Sequence, residues 1–485
     1  MSQDSASRTQ GDAKQQGVSL LGLVALTVTT VVGAGVFNLP KDLAGQVAAG
    51  PALIALIIAS IAFAVFVYCL KYLQDNYPHL DAGIFSFPEK GFGQFIGFLS
   101  ATGYWLSIVV GNVSLGVLSV SSLGYFFPAL RGGNTVPALI LASIMLWVFH
   151  FICTSGAETA SAVNTLIWIA KMVPILVFIV AMALAFKTDL FTNDLWTNAF
   201  AGDGLPASPS GQIGTAMAAT IWVYVGVEGA LIYSARAKKK ADAAKAIVVS
   251  YIVICVTYIL ITLLSFGALS QMDISGMDVP ALGGILEAVV GRWGAVLMNF
   301  AIFLSAAGCW FGCVMFTGEV LDVAAEHRVV PQFFAKENKN HQPSNALLVS
   351  TLIQQAFFIT ILINESIYNV MALFASSTML VPYFFVSLTM VKQSQEIEGK
   401  FGINAWMGII STIAMAYLMY STGWNYIIIT ALLFAPCMII YYIARKENNR
   451  AFLVGYEKAI ALGIVALAII SLVLILNGTI DLATM

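Results

Sequence analysis

A chain of 485 residues that is 59% hydrophobic and only 10% charged cannot clothe a water-soluble core, since soluble domains carry about 25% charged residues. Mean hydropathy is +0.87, so the surplus apolar surface belongs in lipid. A net charge of −2 offers no basic field, and no nucleic-acid partner is expected.

Residues 1–17 are polar and rich in Gln, Ser and Asp, and read as a disordered cytoplasmic tail. The apolar run after them lacks a small-residue cleavage site, so it reads as a retained span. A spanning helix needs about 20 mostly apolar residues, and about thirteen such runs follow in order. They are 18–38, 50–73, 95–127, 136–154, 163–186, 213–235, 246–270, 286–321, 345–364, 367–391, 403–420, 424–444 and 457–477. With the N-terminus in the cytoplasm, inner loops collect most of the Lys and Arg, including Lys71, Lys90, Arg236, Lys238, Lys239, Lys240, Arg328, Lys400, Arg445 and Arg450. The outer loops hold Lys41, Arg131, Lys187 and Arg292. That bias predicts a multi-pass protein of the cell membrane with a cytoplasmic N-terminus.

Two spans carry interruptions. The first reads Val31-Val-Gly-Ala-Gly-Val-Phe37 and is followed by Pro40; the sixth reads Trp222-Val-Tyr-Val-Gly-Val-Glu-Gly229. Glycine costs about 1 kcal/mol relative to Ala inside a helix, so paired glycines loosen the winding. Spans one and six each begin a block of five helices, and five is odd, so the second block inserts upside down. Paired interruptions at matching places point to a transporter site at mid-membrane. Close helix packing is the alternative use of such glycines. In an unwound segment the N–H groups around Ala34, Gly35 and Val36 suit a carboxylate. Carbonyls at Val31, Trp222 and Val225 suit an ammonium, so the pair fits an α-amino acid.

These motifs, with Tyr104-Trp-Leu, Gly111-Asn-Val, Tyr125-Phe-Phe-Pro128 and Leu380-Val-Pro-Tyr383, resemble the amino acid–polyamine–organocation (APC) superfamily. The resemblance is greatest to its basic amino acid/polyamine antiporters, of the arginine/ornithine kind. It covers roughly residues 18–440. It implies an all-α polytopic membrane protein with a LeuT-like fold. That fold is a 5+5 inverted repeat with broken helices 1 and 6 and about 12–13 transmembrane helices. The repeats would be 18–186 and 213–392, with 403–477 as accessory helices; a thirteenth span departs from the family's twelve. Ala34 and Gly35 would hold the substrate carboxylate, and Val31, Trp222 and Val225 the α-ammonium. Trp222 would also lay its indole on the cationic side chain, and Asn112 would contact that side chain. Tyr104, Glu228 and Tyr383 match gate positions. The family's gate Trp on helix eight aligns with Cys313, with Trp310 three residues earlier as a substitute.

Ionisable groups inside spans default to function. Lys171 matches the lysine that stands for sodium in sodium-independent relatives and braces helix one, while snorkelling to the inner interface is the other reading. Glu228 either titrates and couples the gate to pH or bonds the loosened backbone. Ser376, Ser377 and Thr378 are further polar lining. Six cysteines lie in apolar stretches without zinc-site spacing and read as free thiols, so no metal is expected. Four scattered histidines and no His-Glu-x-x-His or Walker loop argue against an enzyme, and no cofactor is implied.

The expected activity is secondary-active antiport by alternating access, a cationic amino acid for its metabolic product, arginine/ornithine foremost. Histidine/histamine or lysine/cadaverine exchange and a proton-coupled permease stay open. Partners would be small amino acid and amine substrates and the lipid bilayer, with a homodimer open.

Overall fold

In lipid a backbone must satisfy its own polar groups, and a helix does so within one segment. Every regular element among the described residues is helical. The structure, a computed structural model, describes residues 19–33, 35–80, 83–156, 160–193, 195–202, 204–229, 240–362 and 367–481. The expected tail 1–17, Ala34 and, in the basic cluster, Arg236, Lys238 and Lys239 lie outside the described residues.

The first span is α1 (Leu20–Val31), a 3₁₀ turn (Gly35–Phe37) and α2 (Leu39–Ala44). Then come α3 (Ala49–Asn76), α4 (Gly83–Phe92), α5 (Gln94–Leu123), α6 (Val136–Thr154), α7 (Ala160–Ala185), the short α8 (Thr188–Asn193) and α9 (Pro209–Trp222). The second half holds α10 (Lys240–Ala268), the short α11 (Gln271–Ser275), α12 (Ala281–Val290), α13 (Arg292–Glu326), α14 (Ser344–Ile359) and α15 (Ile367–Glu398). The last three are α16 (Ile403–Ser421), α17 (Trp424–Glu447) and α18 (Tyr456–Leu476).

Among the described residues, ten helices are long and apolar enough to cross a membrane. The other three expected spans, 18–38, 213–235 and 345–364, carry the shorter α1, α9 and α14. For α1 and α9 the shortness has a local cause, because each ends at its glycine-rich interruption. Helices one and six are broken as expected.

The packing sorts the spans into two groups. In the first, α1 and α3 both pack on α10, and α3 also packs on α9. In the second, α5 packs on α6 and α13, while α14 packs on α13, α6 and α5. Helices α7 and α15 bridge the groups, α7 touching α1, α10 and α13, and α15 touching α9, α3 and α5. Exchanging each span of the first five for its counterpart in the second five maps these contacts onto one another. This is the LeuT-like arrangement.

The same correspondence extends to two elements absent from the sequence reading. The ten-residue α4 and α12 each precede a long span and end at glycines, Gly93 (φ 89°, ψ 178°) and Gly291 (φ 83°, ψ −172°). The expected span 286–321 is corrected accordingly: it merges the end of α12 with α13 across Gly291. The apolar composition is continuous there, and only the backbone angle at the glycine divides it. Pro174 and Pro382 sit inside unbroken helices α7 and α15.

Candidate functional site

The broken helices meet. A Cβ placed on Gly35 would stand 2.7 Å from Val223 Cγ1 and 3.0 Å from Trp222 Cδ1, so only a hydrogen fits between the two segments. Gly226, at φ +100°, faces Val31 across the junction. At that φ a side chain is strained, so glycine is required.

Beyond Trp222 the sixth span runs through turns, with Tyr224 N–H donating to Ile221 C=O at 3.1 Å and Val225 N–H to Trp222 C=O at 3.3 Å. The end of α1 leaves carbonyls without intrahelical partners, and neighbouring helices supply them. Lys171 Nζ on α7 donates to Thr29 C=O at 2.5 Å, Tyr258 Oη on α10 to Val31 C=O at 3.2 Å, and Ser305 Oγ on α13 to Gly33 C=O at 3.5 Å. Gly33 N–H also donates to Val31 C=O at 2.7 Å. A carbonyl has two lone pairs, so an ammonium reaching Val31 has to displace one of these donors. Lys171 is fully buried.

A cavity of about 80 Å³ opens beside the junction. Helix α5 contributes Tyr104, Ser107, Ile108, Gly111, Asn112 and Leu115, whose spacing of three and four puts them on one helical face. Helix α13 contributes Cys309, Cys313 and Phe316 in the same way. The broken segments add Val31, Gly33, Gly35, Trp222, Val225, Gly226 and Glu228. Gly111 backs the indole of Trp222, since a Cβ there would lie 2.9 Å from its far ring edge.

Asn112 Nδ2 donates to Gln354 Oε1 on α14 at 3.0 Å, which fixes the amide. Its Oδ1 is buried with no partner among the described residues, an acceptor left for something else. Glu228 is 1% exposed. Tyr383 Oη donates to Glu228 Oε2 and accepts from Gly226 N–H at 3.1 Å. Tyr104 is a second hydroxyl partner of the same carboxylate. Among the described lining residues there is one carboxylate, Glu228, and no Lys, Arg or His.

Eight of the twelve residues singled out from the sequence line this cavity: Val31, Gly35, Tyr104, Asn112, Trp222, Val225, Glu228 and Cys313; Tyr383 does not line it but bonds Glu228, which does. Ala34 lies outside the described residues. Lys171 sits behind the wall, on the Thr29 carbonyl of α1. Trp310, taken from the sequence as the substitute gate, does not line the cavity. Its ring centroid is 5.2 Å from that of Phe149 and 5.4 Å from that of Phe358, so it packs among α6 and α14. Ser376 and Thr378 likewise turn away, bonding carbonyls of their own helix, and Ser377 bonds Thr422. Ser305, Tyr258, Phe316 and Met379 were not singled out from the sequence.

The amino acid permease family model matches residues 18–443. The chain belongs to that family. The permease is 34% identical over 468 residues to the arginine/ornithine antiporter of Pseudomonas aeruginosa, covering 94% of this chain and 96% of that one. It is 35% identical to the arginine/ornithine antiporter of Latilactobacillus sakei, over 96% and 98% of the two chains. The arginine/agmatine antiporter of Chlamydia caviae is 31% identical over 90% and 91%. With ten helices of spanning length and composition among its described residues, the permease is a multi-pass membrane protein. Helix α18 lies beyond the family match.

Proposed function

We propose that this permease is a secondary-active antiporter that exchanges arginine for ornithine across the cell membrane, with its N-terminus in the cytoplasm. One observation carries the cationic choice: the cavity at the junction of the two breaks has a single carboxylate and no basic side chain among its described lining residues. A carboxylate and an open amide acceptor suit a guanidinium or ammonium, and an indole face adds attraction for either. The names of the relatives favour the arginine and ornithine pair.

The amino acid carboxylate takes the N–H groups that begin the second half of span one, at Ala34 and Gly35. Its α-ammonium takes carbonyls of Val31, Trp222 and Val225. The side chain lies along Trp222 toward Asn112 Oδ1. Tyr104, Tyr383 and Glu228 form the gate beside it. Lys171 holds α1 by its charge, so exchange needs no sodium. The blocks 18–186 and 213–392 each supply two spans to each of the two packed groups, and these groups move against each other around this fixed site.

Arginine and ornithine carry the same net charge, so their exchange is electroneutral. The deciding experiment is labelled-arginine uptake into proteoliposomes preloaded with ornithine, agmatine, histamine, cadaverine or nothing. Ornithine loading should accelerate uptake most, without sodium. Uptake into empty vesicles as fast as into loaded ones would overturn exchange. Faster uptake against agmatine than against ornithine would replace the partner.

A further inference from the structure

Cys309 and Cys313 stand one turn apart on α13, and both line the cavity. Residues four apart on a helix are neighbours on one face, and these two thiols hydrogen-bond each other. Both are free of disulfide bonds. The ammonium of Lys171 lies near both sulfurs. The other four cysteines, Cys69, Cys153, Cys255 and Cys437, line no part of this cavity. Neither thiol is needed to hold an amino acid, so the exchange reading does not use them.

We infer that Cys309 and Cys313 form a dithiol site for a soft, thiophilic centre, the trivalent arsenic of an organoarsenical, and that its occupation plugs the cavity. Soft thiolate ligands select soft acceptors, and two sulfurs on one helix face can bond a single atom. The chemistry balances without an oxidant. Two S–H bonds and the As=O bond are lost, two As–S bonds form, and the oxygen leaves as water with both thiol protons. Arsenic stays trivalent throughout.

The full chain in proteoliposomes, treated with phenylarsine oxide, tests the site by intact-mass measurement and peptide mapping. One arsenical per chain should bridge the peptide carrying Cys309 and Cys313, and 2,3-dimercaptopropanol should remove it. Joining two sites in one ligand strengthens binding by about 100-fold or more, so Cys309→Ser and Cys313→Ser should each raise the half-labelling concentration by about that factor. A chain with Ser in place of Cys69, Cys153, Cys255 and Cys437 should label like the unaltered protein. Label found on other cysteines of the unaltered chain, or labelling of Cys309→Ser at the unaltered concentration, would overturn the assignment. That readout needs no transport, so it stands apart from the test of exchange. Labelled vesicles that still exchange arginine at the untreated rate would overturn the plug.

Discussion

At Trp222 the indole is wedged between glycines, Gly35 at its edge and Gly111 at its far ring, so its position is set by what its neighbours lack. Trp222→Leu keeps apolar bulk and removes the π face. A desolvated cation over Trp gains about 2 kcal/mol. The dissociation constant for arginine should therefore rise about 30-fold, read by isothermal titration of the purified protein. Unchanged affinity would remove the stacking role. Lys171 tests a different quantity. Its ammonium touches a backbone carbonyl of α1 and not the cavity, so Lys171→Met keeps the stem and loses only the bond and the charge. Hydrogen bonds to charged groups are worth about 1.5–3 kcal/mol. If that bond steadies α1, the exchange rate should fall about tenfold or more. The arginine KM should change much less. A normal rate would deny the brace. Glu228 was legible because a charged side chain beside a break is conspicuous in an apolar run, whereas Asn112 and the indole of Trp222 were singled out by the resemblance to the family. Trp310 misled because three residues is about 60° short of a full turn, enough to swing it from the cavity onto Phe149 and Phe358. Tyr258 and Ser305 were invisible. Single hydroxyls are ordinary in membrane helices, and their partners on α1 lie more than two hundred positions away.

The element on which the site depends is the pair of interruptions, and its sensitivity differs from one glycine to another. Gly35 leaves no room for a methyl group beside Val223, whereas a Cβ on Gly312 of α13 would meet nothing within 4 Å. Gly35→Ala should force the broken segments apart and reduce exchange to background, while the protein still inserts and runs as a single species on gel filtration. Gly312→Ala should exchange at the parent rate, and at a compatible helical position it should stabilise by about 0.4–1 kcal/mol. Equal activity in both variants would show that the contact between the breaks is dispensable. These interruptions were readable because glycine pairs stand out at corresponding spans. The connecting helices α4 and α12 were not, for two physical reasons. Pro88 and the charged pair Glu89–Lys90 make α4 look like loop, although Pro88 lies inside the helix. At α12 nothing in composition marks the boundary, because Gly291 interrupts an apolar stretch only by adopting φ 83°.

Over the whole molecule, the count of crossings decides where the chain ends, and the decision falls on α18. It has 21 residues, a length of about 32 Å at 1.5 Å per residue, which matches a hydrocarbon core of about 30 Å. Between Lys458 and Leu476 it has no charge, and most of its side chains are left exposed. Arg445, Arg450 and Lys458 cluster at the start of this last crossing. Two of them are fastened to the inner face expected for α5: Arg445 and Arg450 both donate to Gln94 Oε1, and the Tyr456 hydroxyl donates to Phe92 C=O. Positive residues favour the cytoplasmic side, so in the proposed orientation a helix that starts at this anchor finishes outside. A phosphatase that is active only outside the cytoplasm should therefore be active when fused after Met485 and inactive when fused after Arg450. The pattern for a fluorescent protein that matures only in the cytoplasm should be the reverse. Cytoplasmic signals from both fusion sites would mean that α18 lies along the membrane surface. The chain would then have the even number of crossings that the family leads one to expect, and the polar contacts at Gln94 and Phe92 would be the docking site of a surface helix.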